Sequence, residues 1–191
     1  MSDVKSVLFV GVGGQGTILA SKILTIGLIE NGYDVKMSEV HGMSQRGGSV
    51  STQVRFGSKV YSPIIGEGSA DILVSFEEME AARYAKFLKK DGKIVVNTSR
   101  IPSMPILSGA CQYPEGVLDA LKEKVPVMAL DATQIASDLG NPKSANVVLL
   151  GALIQAMELH DIDWKSIIAK TVKKNFVDIN LQAFEAGMAA I

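Results

Sequence analysis

Short apolar runs recur along the first two thirds of the chain, and most of them end at a glycine or a polar residue. Continuous apolar runs of about four to eight residues are typical of strands buried on both faces of a parallel sheet. The pattern predicts strands at 4–10, 35–40, 71–76, 93–97 and 125–131.

Between these runs the apolar residues recur at helical spacing, which predicts helices at 15–30, 77–90, 115–124 and 133–139. Alternating strands and helices predict an α/β fold with a doubly wound, mostly parallel, Rossmann-like sheet. From Ser144 onward the pattern is helical throughout. We therefore expect a single domain with a sheet part at 1–140 and a helical C-terminal part at 141–191.

Four segments need separate description. Residues 50–56 alternate between apolar and polar, which predicts a half-exposed strand, antiparallel and at an edge. The sequence FGSKVY, which begins at Phe56, predicts a tight turn into a further short strand, whereas residues 99–114 carry two prolines and are expected to be irregular. The run VVLLGALI at 147–154 is too short to span a membrane and predicts a core or subunit-contact helix.

Composition excludes several classes of function. The chain has 191 residues and a net charge of −1, so it carries no electrostatic signature of binding to nucleic acid or to an anionic membrane. Its single cysteine, Cys111, rules out an internal disulfide or a four-cysteine cluster, and we expect an inert, partly buried thiol. The two histidines suggest no metal motif, and with no signal-peptide pattern at the N-terminus a cytoplasmic location is expected.

The first candidate site is the loop GVGGQGT, directly after the first predicted strand. Gly11, Gly13 and Gly16 fit the G-x-G-x-x-G spacing, in which glycines allow a tight turn and the following helix N-terminus offers N–H groups to a phosphate. Gly14, Gln15 and Thr17 complete the loop. The alternative is that the glycines only permit the turn. The acidic residue that a dinucleotide site requires has one candidate, Glu39, slightly farther along than usual.

The second candidate site is the stretch SEVHGMSQRGGSV, which begins at Ser38. In a doubly wound sheet it lies at the same carboxyl edge as the glycine loop, so the two loops are expected to face each other. Its hydrogen-bonding and glycine residues are Glu39, His41, Gln45, Arg46, Gly47, Gly48 and Ser49. Arg46 suits a phosphate or carboxylate ligand, and the alternative is a self-contained loop in which Arg46 pairs with Glu39.

Three stretches of the sequence together resemble a known family. The stretches GVGGQGTILASKIL, SEVHGMSQRGGSVSTQVRFG and SPIIGEGSADILVSFEEMEAARY are similar to the beta subunit of indolepyruvate ferredoxin oxidoreductases. More broadly, they resemble the gamma chain or domain of 2-oxoacid:ferredoxin oxidoreductases, including the pyruvate, 2-oxoglutarate and branched-chain enzymes. The resemblance covers nearly the whole chain, and the second stretch favours the indolepyruvate branch.

The resemblance implies a non-redox subunit that is inactive alone. Such enzymes decarboxylate a 2-oxoacid on thiamine diphosphate, pass electrons through iron–sulfur clusters to ferredoxin and release an acyl-CoA. The thiamine diphosphate, its magnesium and the clusters belong to a larger alpha subunit, so no cofactor is expected to bind tightly to this chain. The chain contains no Gly-Asp-Gly, which agrees with that division. The two loops would then form a ligand or interface cleft, with CoA as the plausible phosphate-bearing co-substrate and no catalytic residue on this chain.

Two other functions remain open at this stage. One is a stand-alone NAD(P)- or flavin-binding protein built on the same glycine loop. The other is an interaction module whose polar loops only dock a partner. The sequence does not identify the 2-oxoacid or the number of subunits.

Overall fold

The computed structural model describes residues 4–42 and 47–191. Through these residues runs one mixed sheet with the strand order β2-β3-β1-β4-β5-β6. The strands are β1 (Lys5–Val12), β2 (Asp34–His41), β3 (Ser49–Gly57), β4 (Ala70–Ser75), β5 (Leu88–Asn97) and β6 (Val127–Leu130). Strands β1, β4, β5 and β6 are parallel, and β3 is antiparallel to both of its neighbours.

Helices cover both faces of the sheet, which confirms the predicted α/β class. They are α1 (Thr17–Glu30), α2 (Glu78–Tyr84), α3 (Met104–Leu107), α4 (Val117–Lys122), α5 (Ala132–Asp138), α6 (Ala145–Met157), α7 (Trp164–Thr171) and α8 (Val177–Ala189). Because side chains alternate along a strand, Phe9 of β1 faces the core formed with α1, α6, α7 and α8, whereas Leu8 faces the smaller core with α2 and α4. No helix in the described ranges is long and apolar enough to cross a membrane.

The apolar run at 147–154 lies inside α6 and is a core helix of this chain. Its large side chains are fully buried, as expected for a helix that is apolar all round. Two glycines allow α6 and α8 to touch backbone to backbone. A Cβ atom on Gly151 would lie 2.1 Å from the carbonyl oxygen of Phe184, and one on Gly187 would lie 1.9 Å from that of Val148. These contacts hold α8 tightly against the core helix α6.

The strand predicted at 50–56 is antiparallel, as expected, but its predicted position at an edge is wrong. It lies between β2 and β1, and β2 forms the edge. The further strand predicted within FGSKVY is also wrong, because residues 58–69 form no strand. Side chains of β2 and β3 instead accept hydrogen bonds from backbone N–H groups of this segment. Asp34 accepts from the Val60 N–H at 2.8 Å, and Gln53 accepts from the Ile65 N–H at 2.5 Å.

The helix predicted at 77–90 is shorter than expected. It ends at Tyr84, a 3₁₀ turn follows at Ala85–Phe87, and Leu88 already pairs with Ala70 of β4. Because of this early pairing, β5 begins at Leu88. The pairing between β4 and β5 then shifts register before the regular ladder that starts at Lys93. The segment 99–114 is irregular as predicted, apart from α3.

The expectation of a partly buried Cys111 is wrong, because the thiol is exposed. Cys111 belongs to the irregular segment that follows β5 and is itself part of neither a helix nor a strand.

Candidate functional site

The glycine loop turns sharply from β1 into α1, and the turn requires glycine at two positions. Gly14 has φ +108° and Gly16 has φ +86°, values that side chains with a Cβ rarely adopt. Gly16 is also in close contact with α6, because a Cβ atom there would lie 2.5 Å from Nδ2 of Asn146. The amide of Asn146 donates to the Gly16 carbonyl oxygen at 3.2 Å, which fixes the start of α1 against the core helix.

The side-chain amide of Gln15 makes two hydrogen bonds within the protein. Its Oε1 accepts from the Val12 N–H at 2.8 Å, and its Nε2 donates to the Phe76 carbonyl at 2.8 Å. The side chain therefore joins the ends of β1 and β4 beneath the loop. Gly11 serves the same packing, since a Cβ atom there would lie 2.8 Å from Oε1 of Gln15.

The glycine loop leaves backbone N–H groups without a partner among the described residues where it enters α1. Among residues 4–42 and 47–191 no acceptor faces the backbone N–H of Gly14, Gly16 or Thr17. The α1 N-terminus has no side-chain cap and no acidic residue in its first turn. Free N–H groups and the positive end of the helix dipole both favour an anion at this point.

The second loop lies beside the glycine loop, as the sequence predicted. The Gly13 N–H donates to the Gly48 carbonyl at 2.8 Å, and the Gly47 N–H donates to the Gly13 carbonyl at 3.2 Å. These bonds extend the β1–β3 ladder, in which Val12 pairs with Ser49. Gln45 and Arg46, both predicted site residues, lie outside the described residues.

A cavity of about 310 Å³ lies between the two loops, and we call it the first cavity. From the predicted set, Gly13, Gly14, Gly16, Thr17, Glu39 and His41 line it. The remaining described members of the predicted set do not line this cavity and instead take part in the packing and hydrogen bonds of the two loops. They are Gly11, Gln15, Gly47, Gly48 and Ser49. Sequence reasoning missed the lining residues Ile18, Val40, Val50, Ser51 and Thr52, which belong to the first turn of α1 and to the ladder of β2 and β3.

The sheet order disfavours a dinucleotide site of the usual kind. In a dinucleotide-binding fold the second parallel strand lies next to the first, and an acidic residue at the end of the second strand reaches the ribose. Here the antiparallel β3 separates β2 from β1. Neighbouring strands are about 4.8 Å apart, so the end of β2 is displaced by one strand spacing. Glu39 therefore faces the glycine loop across a wider gap than a dinucleotide fold provides.

A cavity of about 410 Å³ lies on the other side of the glycine loop, and we call it the second cavity. It occupies the carboxyl ends of β1, β4 and β5, where doubly wound folds bind ligands. Its polar lining includes Asn97, Ser99, Thr133 and Lys143. In the described part of the chain no carboxylate pairs with the ammonium of Lys143. None of these four residues belongs to the site predicted from the sequence.

Three buried glutamates at the start of α2 were also missed. Glu77 caps the helix by accepting from the Glu80 N–H at 2.9 Å, and Glu78 forms a two-point ion pair with Arg100 at 2.8 and 3.1 Å. Glu80 accepts from the Ser49 hydroxyl, and burial raises its pKa. The acidic run EEME directly after a strand was the available signal. Through Glu80, α2 anchors the first residue of β3 at the edge of the first cavity.

Comparison with known proteins places this fold in a class of α/β subunits of oxidoreductases. The family model for pyruvate ferredoxin/flavodoxin oxidoreductases matches residues 6–190. The chain is 41% identical to the indolepyruvate oxidoreductase subunit IorB of Thermococcus kodakarensis, over 97% of this chain and 95% of that one.

Solved structures show the same fold. The pyruvate oxidoreductase subunit PORC from Thermotoga maritima matches with a TM-score of 0.74 at 20% identity, over 97% of this chain and 96% of that one. The 2-oxoglutarate:ferredoxin oxidoreductase from Magnetococcus marinus, solved with 2-oxoglutarate, coenzyme A and succinyl-CoA bound, matches with a TM-score of 0.75 at 21% identity. That match covers 98% of this chain but 31% of the other.

The chain belongs to the pyruvate ferredoxin/flavodoxin oxidoreductase family, and it is a subunit of a 2-oxoacid:ferredoxin oxidoreductase. The resemblance inferred from its sequence motifs is confirmed.

Proposed function

We propose that this chain is the non-redox subunit of an indolepyruvate-type enzyme and that its first cavity binds part of CoA. The indolepyruvate branch is supported by the 41% identity to IorB over nearly the full length of both chains. The enzyme would decarboxylate the 2-oxoacid oxidatively to an acyl-CoA and reduce ferredoxin. This chain would form part of the CoA site.

The observation that carries the CoA proposal is the geometry of the glycine loop. The N–H groups of Gly14, Gly16 and Thr17 have no acceptor among the described residues and lie at the uncapped start of α1, and these residues line the first cavity. Phosphate oxygens are the acceptors that such groups bind well. CoA supplies phosphates, and a cavity of about 310 Å³ is large enough for part of it.

The cofactors of the reaction are assigned to a larger partner chain. One cysteine cannot supply the four thiolates of an iron–sulfur cluster, and the sequence lacks a Gly-Asp-Gly for thiamine diphosphate and magnesium. Glu39 and His41 would position CoA or the 2-oxoacid rather than transfer protons. The single-domain organisation and the cytoplasmic location expected from the sequence are part of this proposal.

The CoA site can be tested with two isoleucines on one helix. Ile18 lies in the first turn of α1, lines the first cavity and is 55% exposed, whereas Ile29 lies in the last turn and is 54% exposed. We expect Ile18→Glu to raise the KM for CoA at least about tenfold in the assembled enzyme, because a carboxylate would face the CoA phosphates. Ile29→Glu is the matched control and should leave that KM unchanged.

The sign of the introduced charge sharpens the test. Ile18→Lys adds bulk of similar size with the opposite charge, so it should raise the KM for CoA far less than Ile18→Glu. If Ile18→Glu leaves the KM for CoA unchanged while the enzyme assembles normally, the first cavity does not bind CoA. If both Ile18 variants raise the KM equally, bulk rather than charge is responsible and the phosphate assignment is wrong.

A further inference from the structure

A cavity of about 570 Å³ lies among the helices that cover one face of the sheet, and we call it the third cavity. Its lining includes Leu19 of α1, Asn146 of α6, Thr171 of α7 and Asn180 of α8. Ile18, the neighbour of Leu19, lines the first cavity, so the two cavities share the first turn of α1. The volume is within the usual range of small-molecule sites, and the function proposed above leaves this cavity unused.

Two buried side chains at the third cavity have an amide oxygen without a hydrogen-bond donor. Asn146 is 5% exposed and Asn180 is 6% exposed. The Nδ2 of Asn146 donates to the Gly16 carbonyl at 3.2 Å, and that of Asn180 donates to the Phe176 carbonyl at 2.7 Å. Within residues 4–42 and 47–191 nothing donates to the Oδ1 of either side chain. Polar atoms of buried side chains are nearly always paired, so two such oxygens at one cavity indicate a ligand that donates hydrogen bonds.

The charged side chains at the third cavity are both positive. Lys143 and Lys173 line it, and in the part of the chain that the structure describes neither ammonium group pairs with a carboxylate. No aspartate or glutamate is found among the described residues that line the cavity. Two unpaired ammonium groups favour an anionic ligand, and they disfavour a metal cation as the partner of the amide oxygens.

Apolar side chains form another part of the lining. They are Leu19, Val172 and Phe176. The ring of Phe176 is 44% exposed, so it is open to contact with a ligand. Aromatic rings pack favourably against one another, which makes a planar ring the ligand body that suits this wall.

We propose that the third cavity binds a small heteroaromatic anion. Its ring would pack against Phe176, and its carboxylate or phosphate would lie near the ammonium groups of Lys143 and Lys173. A ring N–H or an amino group would donate to the free amide oxygen of Asn180. This inference does not rest on the CoA proposal, because the third cavity is separate from the first and has its own charged and polar groups.

Isothermal titration of the purified chain tests the site with two probes. Indoleacetate carries a carboxylate and one ring N–H, whereas AMP carries a phosphate and an amino group. Each probe has an analogue that lacks the N–H donor: N-methylindoleacetate for the first, and AMP dimethylated on its amino group for the second.

A pair of lysine variants tests the charge. The charge variant is Lys143→Gln with Lys173→Gln. The matched control is Lys90→Gln with Lys124→Gln, two exposed lysines that do not line the third cavity. Both double variants remove two positive charges, so they change the net charge equally. Because all four side chains are exposed, both should keep the wild-type circular dichroism spectrum.

We expect at least one probe to bind with a Kd below about 1 mM, which is weak binding for a ligand of this size. Tighter binding of indoleacetate would assign a carboxylate ligand, and tighter binding of AMP a phosphate. Methylation of the bound probe should weaken binding at least about tenfold, because the amide oxygen loses its donor. The charge variant should also bind it at least about tenfold more weakly, and the control variant should bind it like the wild type.

Four results would overturn the inference. The first is that neither probe binds below that limit. The second is a probe that binds the charge variant as tightly as the wild type, because it would then bind elsewhere on the chain. The third is an equal loss in the charge variant and the control variant, which would show general electrostatic attraction only. The fourth is a methylated probe that binds as tightly as its parent, because the amide oxygens would then not contact the ligand.

Discussion

Replacing Tyr113 by phenylalanine tests whether the buried carboxylate of Glu77 holds the segment 101–114 against α2. The substitution removes one hydroxyl group, which donates to Glu77 at 2.5 Å and accepts from the Met79 N–H at 3.0 Å. The aromatic ring and its contact with Arg100 remain. Glu77 is fully buried, so water cannot readily replace the lost donor.

The expected loss of stability follows from the two bonds. A hydrogen bond to a charged group contributes about 1.5–3 kcal/mol, and a donor left without an acceptor costs about 1–3 kcal/mol when buried. Tyr113 and Met79 are only partly buried, so the second contribution falls at the low end. We expect Tyr113→Phe to reduce the free energy of unfolding by about 2–4 kcal/mol, a large share of the ~5–15 kcal/mol typical of a protein.

Urea unfolding followed by circular dichroism measures this loss directly. Tyr61→Phe is the matched control, because Tyr61 is 88% exposed and its hydroxyl has no hydrogen bond within the described residues. The control should stay within about 0.5 kcal/mol of the wild type. The reasoning would be refuted if Tyr113→Phe also stayed within that range.

The pH dependence provides a second check on the same hydroxyl. Burial and the hydrogen bond to Glu77 raise the pKa of Tyr113 in the folded protein. The contribution of this hydroxyl to the free energy of unfolding is therefore complete below the usual tyrosine pKa, near pH ~10, and is lost as the pH rises above that value. The stability gap between the wild type and Tyr113→Phe should narrow above about pH 10. A gap that widens there would contradict the assigned hydrogen bond.

Three further predictions concern other parts of the fold. Gly187→Ala should lower the free energy of unfolding in urea by about 2–3 kcal/mol, because the added Cβ atom would lie 1.9 Å from the Val148 carbonyl oxygen. An unchanged free energy of unfolding would contradict the close contact between α6 and α8. Gln15→Glu keeps an acceptor for β1 but sets a carboxylate against the Phe76 carbonyl, so it should cost about 1–3 kcal/mol in the same assay and raise the KM for CoA. Burial raises the pKa of Glu80, so its charged form is disfavoured on folding; Glu80→Gln should be at least as stable as the wild type at pH ~7, and this gain should disappear as the pH falls below about 4. A stability advantage of Glu80→Gln that grows toward acid would contradict that sign.

The sheet and both loops could be predicted from the sequence because their signals are local. Continuous apolar runs identify the buried strands, and glycines next to a strand end identify the loop that turns into α1. The position of β3 could not be predicted, since an alternating strand looks the same at an edge and between two neighbours. Its insertion between β2 and β1 depends on long-range pairing, such as Val7 with Val54.

The parts of the site that were missed depend on contacts between distant residues. Gln15 was predicted as part of the ligand or interface cleft, and its hydrogen bond to the Phe76 carbonyl joins residues 61 positions apart in sequence. Glu77, Glu78 and Glu80 belong to the helix predicted at 77–90, and only the fold shows that they are buried. The lining residue Lys143 comes from the turn before α6, which sequence spacing does not connect to the glycine loop.

The central claim is that this chain completes a 2-oxoacid:ferredoxin oxidoreductase. The most direct test purifies the larger chain anaerobically and measures reduction of a viologen dye with and without this chain. The account predicts reduction that requires both chains, a 2-oxoacid such as indolepyruvate, and CoA. Equal activity of the larger chain alone would contradict it. So would a colourless chain that associates with no partner and binds NAD or a flavin on its own.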